Sequence, residues 1–300
     1  MPHTIQGFSR LTKDEKIAWL TSNFLSSNPN ATQILKQYWN DDQKLQQLHD
    51  EFIENTISNY YLPLGIAPNF IINNKSFAIP MAIEESSVVA AASKAAKFWM
   101  SRGGFKAEIL GTEKIGQVHF TFSGDSKKIS AFFEDHKAQI IEDLKPHTES
   151  MERRGGGLKS LELINRTNTL EHYYQLHATF ETLDAMGANF INTCLEQIAE
   201  SWQRLYNEKA SFKSADQELV VIMSILSNYV PGCVVRAEVS CPVSELSEAD
   251  GIDPQLFANK FVQAVRIAEV EPYRAVTHNK GIMNGIDAVV LATGNDFRAI

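Results

Sequence analysis

Residues 105–144 read FKAEILGTEKIGQVHFTFSGDSKKISAFFEDHKAQIIEDL, and the change of period within them decides the fold. Up to Phe122 the apolar residues come in short alternating runs, as half-buried strands require, and residues 107–110 and 118–122 are expected to pair as a hairpin. Beyond it, Ile129, Phe132, Phe133, His136, Ile140 and Leu144 fall on one helical stripe. The loop Arg153-Arg154-Gly155-Gly156-Gly157 comes next, then strands near 158–165 and 171–183 and a helix through 192–206. This ββαββα order predicts a small antiparallel sheet with helices on one face, a ferredoxin-like α+β layer.

The flanks have another texture. Thr12-Lys13-Asp14-Glu15 has the form of a capping box, and Ile17, Leu20, Phe24, Ile34, Leu35, Tyr38 and Trp39 recur at helical spacing as packing residues. Residues 54–80 are punctuated by Asn, Gly and Pro, so loops and short strands are expected, with a hairpin turn at Asn73-Asn74. Ser86 or Ser87 should cap a helix through Val88, Val89, Ala92, Ala95, Ala96 and Trp99 that ends at Gly103-Gly104. Residues 219–226 and 234–239 read as strands and 254–270 as a helix. Both flanks share a Gly/Asn/Ala-rich character. The expected α+β organisation is therefore a large mixed helix/strand domain, 1–108 and 219–300, with a small domain, 109–218, inserted into it.

Composition narrows the function. The chain has 300 residues, 44% hydrophobic and 21% charged, with apolar material for a large core and a length suited to two domains of roughly 150 residues. Against 28 Lys and Arg stand 36 Asp and Glu, a formal charge of −8. That balance disfavours nucleic acid as a partner but leaves room for a local phosphate site. No apolar run is long enough to span a bilayer, and residues 1–14 lack the apolar centre of a signal peptide. Cys194, Cys233 and Cys241 lack metal-ligand spacing and suit reduced thiols in the cytoplasm; no metal is expected.

Three clusters carry candidate chemistry. Glu84-Glu85 lies between Pro80-Met81-Ala82-Ile83 and Val88-Val89-Ala90. The pair reads as solvated first-turn charges or, in apolar surroundings, as the source of a general acid. Asp184-Ala185-Met186-Gly187-Ala188-Asn189 ends a strand and opens a helix. It is either a tight junction or an anion site, and it lacks the G-x-G-x-x-G spacing of a Rossmann turn. The 153–157 loop becomes a phosphate clamp if it faces that helix end. Lys280 stands between Asn279 and Gly281, with Asn284, Asp287 and Gly294-Asn295-Asp296 beyond. These residues read as salt-bridge architecture or as a Lys–Asp–Glu network for an oxyanion.

Together ENTISNYYLPLGIAPNF (54–70), IPMAIEESSVVAAAS (79–93), DAMGANFINT (184–193), ILSNYV (225–230) and NKGIMNGIDAVVLATGND (279–296) resemble the signature segments of 3-hydroxy-3-methylglutaryl-CoA reductase, in its soluble bacterial class. The resemblance runs from about Phe8 to Ile300. It implies two hydride transfers with NAD(H) or NADP(H) that interconvert 3-hydroxy-3-methylglutaryl-CoA (HMG-CoA) and mevalonate plus CoA, in either direction. It assigns catalysis to Glu85, Lys280 and Asp296, with Asp296 bridging the other two and Asn228 as a network partner. Ser87, Arg274 and Asn284 match positions that hold the hydroxymethylglutaryl group, and Glu54 and Asn55 fall in the CoA segment. Asp184, Met186, Gly187, Ala188 and Asn189 match the dinucleotide segment. A cytoplasmic homodimer or higher oligomer is implied, without nucleic acid or membrane.

Two departures stand out. Ser86 replaces the family's Pro after the catalytic Glu, which loosens the helix start. The family also uses a His to protonate the departing CoA thiolate, at a position expected beyond Ile300; His278 is no counterpart. The chain is thus expected to be C-terminally incomplete, its activity resting on residues past Ile300. The alternative is a non-catalytic remnant that binds acyl-CoA or dinucleotide. A third reading, an aldehyde or acyl-CoA oxidoreductase with a Cys nucleophile, would rest on Cys194, which lies in what reads as a packed helix.

Overall fold

The computed structural model describes residues 4–212, 218–246 and 251–300. Helices α1 (Lys13–Phe24), α2 (Ala31–Lys36) and α3 (Gln43–Asp50) open the chain. The capping box forms: the Thr12 hydroxyl accepts the Glu15 amide at 3.3 Å, and the Glu15 carboxylate accepts the Thr12 amide at 2.8 Å. Lys13 ties α1 to α3 through Asp50 at 2.7 Å and lies over the Trp39 ring.

Strands β1 (Leu64–Ile72) and β2 (Lys75–Ala82) make an antiparallel hairpin, turned as expected at Asn73 and Asn74, both left-handed with φ of 48° and 64°. Helix α4 (Ser86–Met100) and, from the end of the chain, α8 (Pro272–Ala292) pack on this hairpin around Ala67, Met81 and Ala288.

The larger core has βαββαβ order. Strand β3 (Lys106–Phe122) leads to α5 (Ser126–Glu152), β4 (Gly157–Asn165), β5 (Tyr173–Glu181), α6 (Ala188–Lys209) and β6 (Leu219–Ser227). The antiparallel sheet runs β4-β5-β3-β6, the ferredoxin-like arrangement, with α5 and α6 on one face. Val118, Phe120 and Phe122 alternate into that core and meet Tyr174, Leu176, Phe133 and the wholly buried Trp202. Leu219, at the start of β6, is buried in the same cluster.

The predicted hairpin within 107–122 is corrected: β3 is one continuous strand. Its first half pairs with β7 (Cys233–Glu238), and its second half lies between β5 and β6. The glycines between the two expected strands serve close packing. A Cβ on Gly111 would lie 2.3 Å from the Gly232 carbonyl oxygen, and one on Gly116 would lie 2.6 Å from Leu195. Helix α7 (Pro254–Val270), as expected, precedes α8.

Candidate active site

Glu85 holds the N-cap position of α4, and Ser86 begins the helix, so the capping serine expected there is not one. The Ser87 hydroxyl instead donates to Glu85 Oε1 at 2.5 Å. Because α8 packs on β2, Lys280 reaches the same place, its Nζ 3.8 Å from Glu85 Oε2. One turn along α8, with its amide oxygen facing the ammonium, Asn284 accepts from Lys280 Nζ at 3.0 Å and donates to the Lys280 carbonyl at 3.2 Å. Four predicted residues from distant segments therefore form one chain of polar contacts, Ser87–Glu85–Lys280–Asn284.

The other predicted residues lie elsewhere. Asp296 does not bridge Glu85 and Lys280. It caps the last short turn, accepts the Arg298 amide at 3.0 Å, and binds the Arg298 guanidinium through both oxygens at 2.9 Å. A cation two residues away is simply its nearest partner. Of the two readings of Glu84-Glu85, Glu85 follows the solvated one: the side chains of Glu85 and Lys280 are 49% and 65% exposed. Arg274 is exposed in the first turn of α8. Its six-residue separation from Lys280 is about 9 Å along the axis. Glu54 and Asn55 both lie exposed in the irregular stretch before β1, Asn55 with a φ of 60°.

The second locus is the β5–α6 junction. Gly187 is left-handed (φ 81°), and a Cβ there would lie 2.5 Å from Thr182 Cγ2. Asp184, Met186 and Asn189 are exposed at the mouth of the helix. Met186 and Ala188 share a hollow with Lys114, Asn228 and Ala299. Asn228, expected as a partner of the catalytic network, instead lies beside the Asp184–Asn189 segment. Lys114 was invisible in the sequence, being one cation on an alternating strand; its Nζ donates to Cys233 Sγ at 2.8 Å. Gly157 of the glycine loop pairs with Glu181, the last residue of β5, so the loop lies beside the strand end of this junction, with Arg154 donating to the Ser150 carbonyl. Free amides at the start of a 22-residue helix, small side chains and a nearby ammonium fit an anionic dinucleotide.

Cys194 is unsuited to nucleophilic attack. It is fully buried in α6, and burial, with a smaller effect of the Glu152 charge, pushes its pKa up to about 12. Among the described residues no helix is long and apolar enough to cross a membrane.

Comparison with known proteins agrees with the motifs. The profile of the hydroxymethylglutaryl-coenzyme A reductase family matches residues 14–300. The 3-hydroxy-3-methylglutaryl-coenzyme A reductase of Archaeoglobus fulgidus is 34% identical over 302 residues, covering 100% of this chain and 64% of the relative. A probable reductase of Borreliella burgdorferi is 34% identical over 261 residues, covering 84% of this chain and 55% of that protein. The chain thus spans less than two thirds of the length of these relatives. The reductase of Streptococcus pneumoniae superposes with a TM-score of 0.71 at 30% identity, covering 99% of this chain and 76% of that one. A class II reductase structure from the same organism, described as bound to NADPH in open conformations, gives 0.71 at 31% identity, with the same coverage of both chains. A family profile that takes in nearly every residue, on a fold that superposes over 99% of the chain, makes this protein a member of the hydroxymethylglutaryl-coenzyme A reductase family.

Proposed function

We propose that the chain carries the substrate and dinucleotide sites of an oxidoreductase that interconverts HMG-CoA and mevalonate plus CoA. The observation that carries this reading is the 3.8 Å approach of Lys280 to Glu85, with Ser87 and Asn284 bonded to either side. When bound, NAD(P)H supplies the hydride. Lys280 stabilises the oxyanion that develops on the substrate carbonyl. Glu85 delivers the proton to that oxygen, oriented by the Ser87 hydroxyl. Asn284 keeps the ammonium aimed. Arg274 binds the substrate carboxylate, Glu54 and Asn55 lie along CoA, and Asp184, Met186, Gly187, Ala188, Asn189 and Asn228 meet the dinucleotide. In this reading Asp296 joins the pair only after leaving Arg298.

The organisation we propose is a substrate domain, 1–108 and 219–300, with an inserted dinucleotide domain, 109–218, whose sheet β6 (Leu219–Ser227) completes, in a cytoplasmic homodimer serving isoprenoid metabolism. The exposed apolar residues Val270, Tyr273 and Val276, 70–87% accessible, support an oligomer. The test monitors NAD(P)H absorbance with HMG-CoA and separately with mevaldehyde, using both dinucleotides. Oxidation of either cofactor that depends on these substrates supports the proposal; its absence with both defeats it. The openness of the Glu85–Lys280 pair and the diversion of Asp296 favour one second reading, a binding protein without turnover. Dinucleotide and HMG-CoA affinities without absorbance change would establish that alternative.

A further inference from the structure

We infer that Glu181 is the positioning residue of the dinucleotide-binding turn: its carboxylate fixes the backbone at Leu183 so that Met186 to Asn189 meet the cofactor at the start of α6. The inference rests on the dinucleotide reading proposed above for that segment. Glu181 Oε1 accepts the Leu183 amide at 2.7 Å, and Oε2 accepts the hydroxyl of Thr112 from the neighbouring β3. Leu183 is held left-handed at φ 55°. That conformation is costly for a non-glycine residue and needs a local interaction to offset it. The next contacts propagate the turn. Thr182, 1% exposed, donates its hydroxyl to the Ala185 carbonyl at 2.7 Å and packs tightly against Gly187.

Glu181 also organises the opposite wall. It is the register partner of Gly157, and its carbonyl oxygen lies 2.5 Å from where a Cβ on Gly156 would stand. One residue thus joins β3, the dinucleotide turn and the glycine loop. The bonds from Thr112 and Leu183, helped by the Lys159 charge, hold its carboxyl below the ordinary Glu range, so it is the charged acceptor at neutral pH. None of these contacts involves Glu85, Ser87, Lys280 or Asn284, so dinucleotide affinity is expected to change while substrate affinity does not.

Glu181→Gln keeps the shape but places an amide donor where two donors already converge. The chain is titrated with NADH and NADPH by nicotinamide fluorescence and with HMG-CoA by calorimetry. Glu181→Gln should raise the dinucleotide Kd about tenfold, the loss of one charge-assisted hydrogen bond, and leave the HMG-CoA Kd within about twofold. Thr112→Val, which retains the carboxylate, should give a smaller rise of the same kind, and it decides the matter if Glu181→Gln does not fold. An unchanged dinucleotide Kd, or equal weakening of both ligands, overturns the inference. Gly187→Val separates the two layers. If it weakens dinucleotide binding while Glu181→Gln does not, the turn binds cofactor without Glu181's help. If Gly187→Val has no effect either, or the parent chain binds no dinucleotide, the reading beneath the inference fails with it.

Discussion

Lys280 and Glu85 are ordinary residues made special by what reaches them. An ammonium and a carboxylate 3.8 Å apart, both exposed, contribute at most about 1 kcal/mol to stability. Structure alone therefore gives little reason for the pair, and chemistry gives a good one. Lys280→Ala in the active enzyme should lower kcat by on the order of a hundredfold with little change in KM, as loss of an oxyanion donor does. Near-normal turnover would remove Lys280 from the mechanism. Glu85→Gln should suppress thioester reduction and flatten the pH–rate profile, with Glu84→Gln as its control; equal losses at both positions would indicate damage to the start of α4. Both residues were legible in the sequence because they sit inside long motifs. Thr112 and Glu181 were not, since their partnership crosses from one strand to its neighbour and no local pattern encodes it.

At the scale of elements, α5 was read more faithfully than the longest strand, and α8 was not read as a helix at all. The stripe from Ile129 to Leu144 predicted α5, whereas the interrupted apolar runs 107–110 and 118–122, with Gly111 and Gly116 between them, read as a hairpin although β3 is continuous. Glycine has two uses, reversing a chain and admitting a close neighbour, and local sequence does not tell them apart. A glycine that serves neither use predicts the opposite sign on substitution from one that admits a neighbour. Gly116→Val forces a side chain against Leu195 and Ile191 and should destabilise the fold by about 1–3 kcal/mol in urea unfolding. Gly281→Ala lies within helix α8 with open space around it and should stabilise by about 0.5–1 kcal/mol. A neutral Gly116→Val would mean that α6 does not lie against β3 as described.

Across the whole molecule the two halves of the proposed site rest on unequal foundations. The dinucleotide turn grows from a core with Trp202, Tyr174, Tyr206, Phe120, Phe122 and Phe133 wholly buried. The Glu85–Lys280 pair stands on a hairpin and two helices whose buried centre is Ala67, Met81 and Ala288. Buried apolar area is the main resistance to local opening, so the two regions should open at different free energies. In native-state hydrogen exchange, amides of β1, β2 and α8 should exchange well before those of β3, β5 and α6. Ligands should then act selectively, because a ligand protects only the openings that destroy its site. HMG-CoA should slow exchange in α8 and the first turns of α4, and NAD(P)H should slow residues 182–190. Protection by HMG-CoA confined to the ferredoxin-like unit would place the substrate away from Lys280 and undo the proposed site, whatever the turnover showed. Protection of both regions by either ligand alone would mean that they open as one cooperative unit, leaving the shallow packing around Met81 without the weakness assigned to it.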